Sequence, residues 1–108
     1  MSAYYVYILG NKTRTTLYVG VTNGLTKRVR QHRAGKTPGF TRRYHCDRLL
    51  YFEIFSKPSE AIAREKQVKG WRRSKKEDLI AGRNPQFQDL AITVLGLPSP
   101  EGRAWEGR

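Results

Sequence analysis

Residues 4–21 read YYVYILGNKTRTTLYVGV and hold two short hydrophobic runs on either side of a polar stretch. The first run, 4–9, is rich in aromatic and β-branched residues, and the second, 17–21, has a similar composition. Such runs are typical of β-strands. The stretch between them, 10–16, starts with a glycine and continues with polar residues, as turns do. The two runs therefore predict a β-hairpin with a long loop.

A helix is predicted directly after the hairpin. Leu25, Val29 and His32 recur at intervals of three and four residues, which is the spacing of one helical face, and the pattern continues to about Ala34. Gly35 then closes the helix, because glycine is the preferred residue just past a helix end. The chain is therefore expected to begin with two strands and a helix.

Local signals predict the remaining elements. Residues 35–48 have the composition of a loop, and the apolar residues 49–55 predict a third strand. A second helix is expected over 58–70, because a proline and a serine stand at its start, and a third over 74–82, where SKKE has the form of a capping box. Residues 87–95 are expected to hold a short helix or a strand.

The predicted order β-β-α-β-α-α indicates an α+β fold, in which helices flank a small, mostly antiparallel sheet of three strands. No internal repeat or second domain is recognisable in the sequence, so residues 1–95 are expected to form one domain. Residues 96–108 carry two prolines and three glycines and are predicted to be a flexible tail.

The chain is strongly basic. Lys and Arg number 21 against 9 Asp and Glu, which gives a formal net charge of +12. This excess predicts a polyanionic partner. Nucleic acid is favoured over a membrane surface, because the basic residues run through the whole chain and no apolar run approaches the ~20 residues that a membrane span requires. A merely soluble basic protein is the alternative.

The cysteine content and the N-terminal residues indicate where in the cell the protein is found and whether it holds a zinc site. Cys46 is the one cysteine, so an internal disulfide is excluded. A zinc cluster of Cys46 with His32 and His45 lacks a fourth ligand and a closely spaced pair. The N-terminal residues lead straight into the first strand without the features of a secretory signal, so a cytoplasmic location is expected.

The hairpin and the residues after it resemble the GIY-YIG nuclease superfamily. The two halves of its name motif correspond to residues 5–7, YVY, and 18–20, YVG, and the resemblance extends over about 4–79. It indicates in particular a small single-domain bacterial member that is similar to the N-terminal domain of the excinuclease C subunit. Besides the motif, the same order and spacing hold for three polar residues, namely Arg28, His32 and Glu65.

The resemblance implies a phosphodiester hydrolase that uses one divalent metal ion, Mg²⁺ or Mn²⁺. It implies that five residues line one cleft over the sheet and carry the chemistry: Tyr7, Tyr18, Arg28, His32 and Glu65. Two positions depart from patterns seen in the superfamily. Many larger repair enzymes carry a lysine where this chain has Val21, and several members carry an amide side chain near position 69, which is Lys69 here.

The residue types suit these roles on chemical grounds. A carboxylate such as Glu65 binds a hard cation that keeps most of its waters, and it stands in the apolar stripe of Ala61 and Val68, where solubility does not require it. A partly exposed ion pair of Glu65 with Arg64 or Lys69 is the alternative. Glu65 is therefore predicted to be the metal ligand.

Arg28 offers a planar fork of donors with a fixed charge, which suits a phosphate oxygen and the charge of a transition state. The alternative is a solvated helix residue like its neighbours Lys27 and Arg30. His32 lies four residues further along the same helical face and is a side chain whose ordinary pKa is near neutrality.

The two tyrosines, Tyr7 and Tyr18, are expected on one face of adjacent strands, where both hydroxyls reach one water or phosphate. A phenol with a pKa of about 10 is a poor base at neutral pH and needs activation. The sequence leaves open whether a tyrosine or His32 takes the proton of the attacking water. Two half-buried strand aromatics are the alternative for the tyrosines. Gly20 is expected to permit close backbone approach beside them.

Two basic segments are predicted to bind nucleic acid. The first, in the predicted loop, interleaves charges with rings and comprises Lys36, Phe40, Arg42, Arg43 and Tyr44. The second comprises Lys69, Arg72 and Arg73. Charges next to aromatic rings suit phosphates and unpaired bases, although solvated faces are the alternative for any single residue.

The sequence therefore predicts a metal-dependent DNA endonuclease of the kind used in DNA repair. One small domain has no room for a separate specificity module, so recognition of shape is expected, with single-stranded, flapped or branched DNA preferred over plain duplex. A binding module with little turnover and an RNA-directed nuclease are the alternatives. The sequence does not identify protein partners.

Overall fold

The computed structural model describes residues 2–36 and 39–100. Within them the chain forms three strands and five helices in the order β1 (Tyr4–Gly10), β2 (Leu17–Thr22), α1 (Leu25–Arg33), α2 (Phe40–Tyr44), β3 (Arg48–Phe55), α3 (Pro58–Lys69), α4 (Arg73–Arg83) and α5 (Leu90–Thr93). The predicted hairpin, third strand and three longer helices are all present. A flexible tail was predicted over 96–108, and its residues 101–108 lie outside the described residues.

The three strands form an antiparallel sheet in the order β2-β1-β3. Tyr7 in the central strand lies opposite Gly20 of β2 and Phe52 of β3. A register shift follows it on the β3 side, between Ile8 and Leu9. The predicted α+β fold is confirmed, and the sheet is antiparallel throughout rather than mostly so.

Side chains alternate along β1, so apolar residues lie on both faces of the sheet, and helices pack against each face. Val6 and Ile8 pack with residues of α3 and α4 in one core cluster. Tyr7 and Leu9 point the other way and pack with residues of α1 and α5 in a second cluster. The two tyrosines of the motif therefore share the α1 face, whereas Glu65 comes from a helix on the opposite face.

The end of α1 is held firmly, which fixes the helix that carries Arg28 and His32. Gly35 adopts a φ of +68°, and its backbone N–H donates to the carbonyl of His32. The N–H of Lys36 donates to Gln31, which completes a Schellman motif and confirms the predicted helix end. Arg33 forms a buried ion pair with Asp89, and Asp89 also accepts from the backbone N–H of Leu49.

Two local predictions are wrong. Residues 35–48 were expected to be a loop, but they contain the short helix α2 and the start of β3. Five residues are too few to show a helical period. The capping box at 74–77 does not form, because α4 starts at Arg73 and has Arg72 as its N-cap, without a side-chain cap. Glu77 pairs instead with Arg73, one turn earlier.

The segment 87–95 contains a short helix, α5, whose N-cap Asp89 accepts from the N–H of Ala91. Packing continues beyond Leu95, since Leu97 is buried in the second core cluster. The Pro98 carbonyl accepts a hydrogen bond from Arg33. In the part of the chain that the structure describes, no helix combines the length and apolar composition needed to cross a bilayer.

Candidate active site

The site begins with Tyr7, whose ring lies over the backbone of β2. Its cross-strand partner is Gly20, and a Cβ atom added there would lie 2.5 Å from both Cζ and the hydroxyl oxygen of Tyr7. The Tyr18 ring lies two residues before Gly20, with its centroid 6.3 Å from that of Tyr7. A residue without a side chain at position 20 is therefore what lets the two rings meet.

His32 reaches this pair from α1. Its Nε2 lies 3.2 Å from the Tyr7 hydroxyl, and its Nδ1 lies 2.9 Å from Oγ1 of Thr41. The His32 ring centroid is 6.0 Å from that of Tyr7 and 5.8 Å from that of Tyr18. Both ring nitrogens of His32 thus have a partner, and the rings of Tyr7, Tyr18 and His32 lie next to one another.

Arg28 lies one helical turn before His32 and is half-buried. Burial lowers the pKa of His32 to about 4, and the positive charge of Arg28 contributes to the same shift. That charge also acts on Tyr7, where it lowers the pKa. Arg28 is therefore close enough to both groups to influence their protonation.

Glu65 approaches from α3 and acts on the same hydroxyl. Burial raises the pKa of Tyr7 above its ordinary value, and the charges of Tyr18 and Glu65 raise it further. The Glu65 side chain is only 13% exposed, and its Oε2 lies 3.1 Å from Nζ of Lys69. Arg64 pairs with Glu53 instead. The structure thus brings Tyr7, Tyr18 and His32 together, while Arg28 and Glu65 act on the Tyr7 hydroxyl through their charges.

The donor set at Glu65 fits a hard divalent cation. One carboxylate with few protein ligands suits an ion that keeps its waters and binds phosphate oxygens. Within 2–36 and 39–100, no three His, Cys, Asp or Glu side chains group together as they would in a closed metal cage. The ion pair with Lys69 is no obstacle, because that lysine is 59% exposed and such pairs are weak.

Acidification is expected to destabilise the domain through His32. The lowered pKa, about 4 against 6.5, means that the unfolded chain binds the proton more tightly. The stabilisation of the folded state by neutral His32 is therefore complete above pH 6.5 and is lost as the pH falls toward 4. At roughly 1.4 kcal/mol per pKa unit, the loss of unfolding free energy is about 3 kcal/mol.

Urea unfolding at pH 7 and pH 4 checks this prediction when wild type is compared with His32→Gln. Glutamine stays neutral at both pH values and has the polarity to replace one hydrogen bond. The wild type should lose about 3 kcal/mol more than the variant between the two conditions. An equal loss in both proteins would show that other groups carry the acid sensitivity.

An aromatic stack extends from the site to the surface. Tyr18 stacks with Phe40 at a centroid distance of 6.1 Å, and Phe40 contacts Tyr44 at 4.8 Å. The guanidinium of Arg43 lies 5.6 Å from the centre of the Tyr44 ring. Phe40 and Tyr44 are 46% and 42% exposed. The helix α2 therefore presents two rings and a cation to solvent next to Tyr18.

A groove beside this stack runs along the edge strand β2. Its volume is about 310 Å³, and strand and helix residues from both sides of the sheet line it: Leu17, Tyr18, Val19, Phe40, Lys69 and Lys76. Val21 packs against the core and supplies no charge beside Gly20. Lys69 and Lys76 therefore supply positive charge in this groove.

Other predicted nucleic-acid contacts lie elsewhere. Lys36 lines a separate cavity of about 440 Å³ that contains none of the five site residues. Arg73 donates to Glu77 and to the carbonyls of Arg14 and Thr15. Each of its guanidinium nitrogens has a protein partner, so Arg73 anchors the β1–β2 loop in the free protein.

Exposed arginines remain available on two helices. Arg42 lies on α2, beside the aromatic stack, and Arg72 is the N-cap of α4. Thr41 is the site residue that the sequence did not indicate, because it falls in a segment expected to be a loop. Its side chain is polar but only 4% exposed. No spacing rule connects it to His32.

Comparison with known proteins identifies the family. Residues 3–78 match the model of the GIY-YIG catalytic domain. The chain belongs to the GIY-YIG family. The match confirms the resemblance seen in the sequence and indicates a nuclease superfamily with nucleic acid as substrate, whose members generally depend on a divalent metal ion.

Small proteins match this chain over most of their own length. A UPF0213 protein of Haloquadratum walsbyi is 38% identical over 76 residues, which span 70% of this chain and 84% of that protein. A UPF0213 protein of Clostridium perfringens is 40% identical over 80 residues, or 74% and 85% of the two chains. The solution NMR structure of a UPF0213 protein from Bacillus halodurans matches with a TM-score of 0.53 and 30% identity, covering 85% of this chain and 97% of that one.

Proposed function

We propose that this GIY-YIG chain is a divalent-metal-dependent DNA endonuclease that selects single-stranded, flapped or branched DNA. The observation that supports the proposal best is the hydrogen bond between Tyr7 and His32 beside the Tyr18 ring, at a hydroxyl on which the charges of Arg28 and Glu65 also act. These groups provide anion binding, proton transfer and a ligand for a cation, which are the requirements of phosphodiester hydrolysis. A cytoplasmic role in DNA repair is the corresponding cellular proposal.

Arg28 binds the scissile phosphate in this proposal. Its guanidinium offers paired donors to a nonbridging oxygen and offsets the charge that grows there in the transition state. The bound phosphate in turn neutralises Arg28, whose charge is one of the two causes that lower the pKa of His32. Substrate binding therefore raises the proton affinity of His32 at the moment when a base is needed.

The pair of Tyr7 and His32 receives the proton of the attacking water. Burial disfavours a free phenolate at Tyr7, so we propose that the hydroxyl passes its own proton to His32 as it accepts one from water. The water oxygen bonds to phosphorus, and the bond from phosphorus to the leaving nucleoside oxygen breaks. Solvent then protonates the leaving oxygen and removes the proton from His32.

Glu65 is the residue proposed to hold the metal ion. When bound, Mg²⁺ or Mn²⁺ supplies positive charge to the phosphate oxygens and lowers the pKa of a bound water. Lys69 pairs with the same carboxylate in the free protein, and the cation would take its place there.

Unpaired DNA is the proposed substrate because of the stack formed by Tyr18, Phe40 and Tyr44. Exposed rings bind the faces of bases, which a duplex keeps covered by its own stacking. The stack lies beside the catalytic groups, so a base next to the scissile phosphate would rest on Phe40. Recognition of this kind selects DNA by its shape, without base-specific contacts.

Replacing Phe40 with alanine is expected to weaken binding of single-stranded DNA. Loss of one stacking contact costs about 1–3 kcal/mol, which corresponds to roughly a 5- to 150-fold higher Kd. Fluorescence anisotropy with a labelled oligonucleotide measures the effect. Ile54→Ala is the matched control, because Ile54 is 62% exposed on β3 and lies outside the stack. A similar loss of DNA affinity in the two variants would show that Phe40 does not bind DNA by stacking.

A substrate panel tests the proposed function. Labelled single-stranded, duplex, flapped and branched DNA, and an RNA of the same sequence, are incubated with the full chain and Mg²⁺, Mn²⁺ or EDTA. Metal-dependent cutting of the unpaired DNA substrates is expected. Tight binding without cutting would support the binding module instead, and cutting confined to RNA would support the RNA-directed nuclease.

A further inference from the structure

Thr41 lies behind the catalytic histidine, on the side away from Tyr7. Its Oγ1 is 2.9 Å from Nδ1 of His32, whose Nε2 is 3.2 Å from the Tyr7 hydroxyl. Thr41, His32 and Tyr7 are 4%, 6% and 2% exposed. The three side chains therefore form a buried row of hydrogen-bonding groups that ends at the proposed reaction centre.

The short helix α2 determines the position of Thr41. Gly39, with a φ of +100°, precedes the helix, and His45 ends it in the left-handed region at +55°. The Thr41 carbonyl accepts from the N–H of Cys46 at 2.9 Å, which fixes the backbone where the hydroxyl is needed. The neighbouring Phe40 on the same helix belongs to the aromatic stack, so one element serves both parts of the site.

A neutral imidazole carries one N–H, and its location decides what His32 can do. If Nδ1 holds the proton, it donates to Thr41, and Nε2 is free to accept the proton of Tyr7. If Nε2 holds the proton, it donates to the Tyr7 oxygen and cannot accept one. Only the first arrangement is compatible with proton transfer from Tyr7 to His32.

We propose that Thr41 is a positioning residue, whose Oγ1 accepts the Nδ1 proton of His32 and so keeps Nε2 as the acceptor for Tyr7. This inference rests on the proposed function. One water proton moves to the Tyr7 oxygen as the Tyr7 proton moves to Nε2, and the Nδ1 proton stays on its bond to Thr41. A base oriented by a third group in this way is a recurrent arrangement in enzymes.

Nitrogen NMR of the imidazole rings tests the proposal without any turnover. Long-range proton–nitrogen correlations in ¹⁵N-labelled full chain report which nitrogen of His32 is protonated. His45, the second histidine, is exposed and is the internal control. We expect a protonated Nδ1 in the wild type and in Thr41→Ser, and a shift toward protonated Nε2 in Thr41→Val. A wild-type His32 that is protonated at Nε2 would overturn the proposal, and so would an unchanged tautomer in a folded Thr41→Val.

Turnover gives a second readout. Thr41→Val should lower kcat roughly 10- to 100-fold, as loss of an orienting partner does elsewhere, while Kd for DNA stays within about twofold. Thr41→Ser should retain most of the rate. In a His32→Ala background, Thr41→Val should cost almost nothing, because its effect passes through His32. If the two substitutions lowered kcat additively in the double variant, Thr41 would act on the stability of the fold and not through His32.

The nuclease function and the role of Thr41 can be rejected independently of each other. If no protein cleaves any substrate, the proposed nuclease function is rejected, and the NMR result still decides the tautomer. If the wild type cleaves but shows the other tautomer, the nuclease function stands and the role of Thr41 is rejected. Should Thr41→Val not fold, the tautomers of the wild type and of Thr41→Ser decide.

Discussion

Glu65→Gln is expected to lower the rate of metal-dependent cleavage by roughly 10²–10³-fold or more, since it removes the charge proposed to hold the cation. Glutamine has the shape of glutamate but no charge. Binding of DNA should not weaken, because the substitution leaves Arg28 in place and frees Lys69 from its carboxylate partner. The expected signature is therefore tight binding combined with slow cleavage.

Single-turnover cleavage and anisotropy on the same flapped DNA measure the two quantities. Glu60→Gln is the matched control, because Glu60 lies on the same helix, is exposed and changes the net charge equally. Its cleavage rate should equal that of the wild type. Comparable rates for Glu65→Gln and Glu60→Gln over a range of metal concentrations would exclude Glu65 as the metal ligand.

Gly20→Ala is expected to damage both stability and activity. Its new methyl group would lie 2.5 Å from Cζ and the hydroxyl of Tyr7 and 3.0 Å from Cε2 of Tyr18. Tyr7 is buried and bonded to His32, so its ring has little room to move. Overpacking of this kind costs about 1–3 kcal/mol. Displacing the hydroxyl by about 1 Å should lower kcat roughly 10²-fold.

Urea unfolding and single-turnover kinetics check this prediction. Gly82→Ala is the control, because Gly82 lies in α4 and an added Cβ would meet nothing within 4 Å. Alanine also favours helices over glycine by up to about 1 kcal/mol, so that variant should be as stable as the wild type or more so. Wild-type stability and turnover in Gly20→Ala would show that the Tyr7 ring adjusts freely.

The strands and long helices were predictable because each carries its own period. Residues 4–21 show two apolar runs around a turn, and Leu25 to Ala34 show helical spacing closed by a glycine. The short helix α2 was not predictable, because five residues hold no full period and its boundaries depend on positive φ values at Gly39 and His45. The false capping box shows that a four-residue motif does not determine a helix start.

The candidate site divides in the same way. The five candidate residues were predicted from the family resemblance, and the shared helical face of Arg28 and His32 and the paired strands of the two tyrosines agree with it. Thr41 was not predicted, since its contact with His32 joins two elements through tertiary packing. The contacts of Arg73 with the β1–β2 loop were not predictable either, because they depend on carbonyls far away in the sequence.

The most direct test of the central claim is whether the wild-type chain cuts a labelled flapped DNA in a metal-dependent way. The full chain is incubated with the DNA in EDTA, and excess Mg²⁺ or Mn²⁺ is then added to the same sample. We predict intact DNA in EDTA and discrete cleavage products after metal addition. Tight, salt-sensitive binding with the DNA intact in both metals would contradict the account and leave a nucleic-acid-binding module in its place.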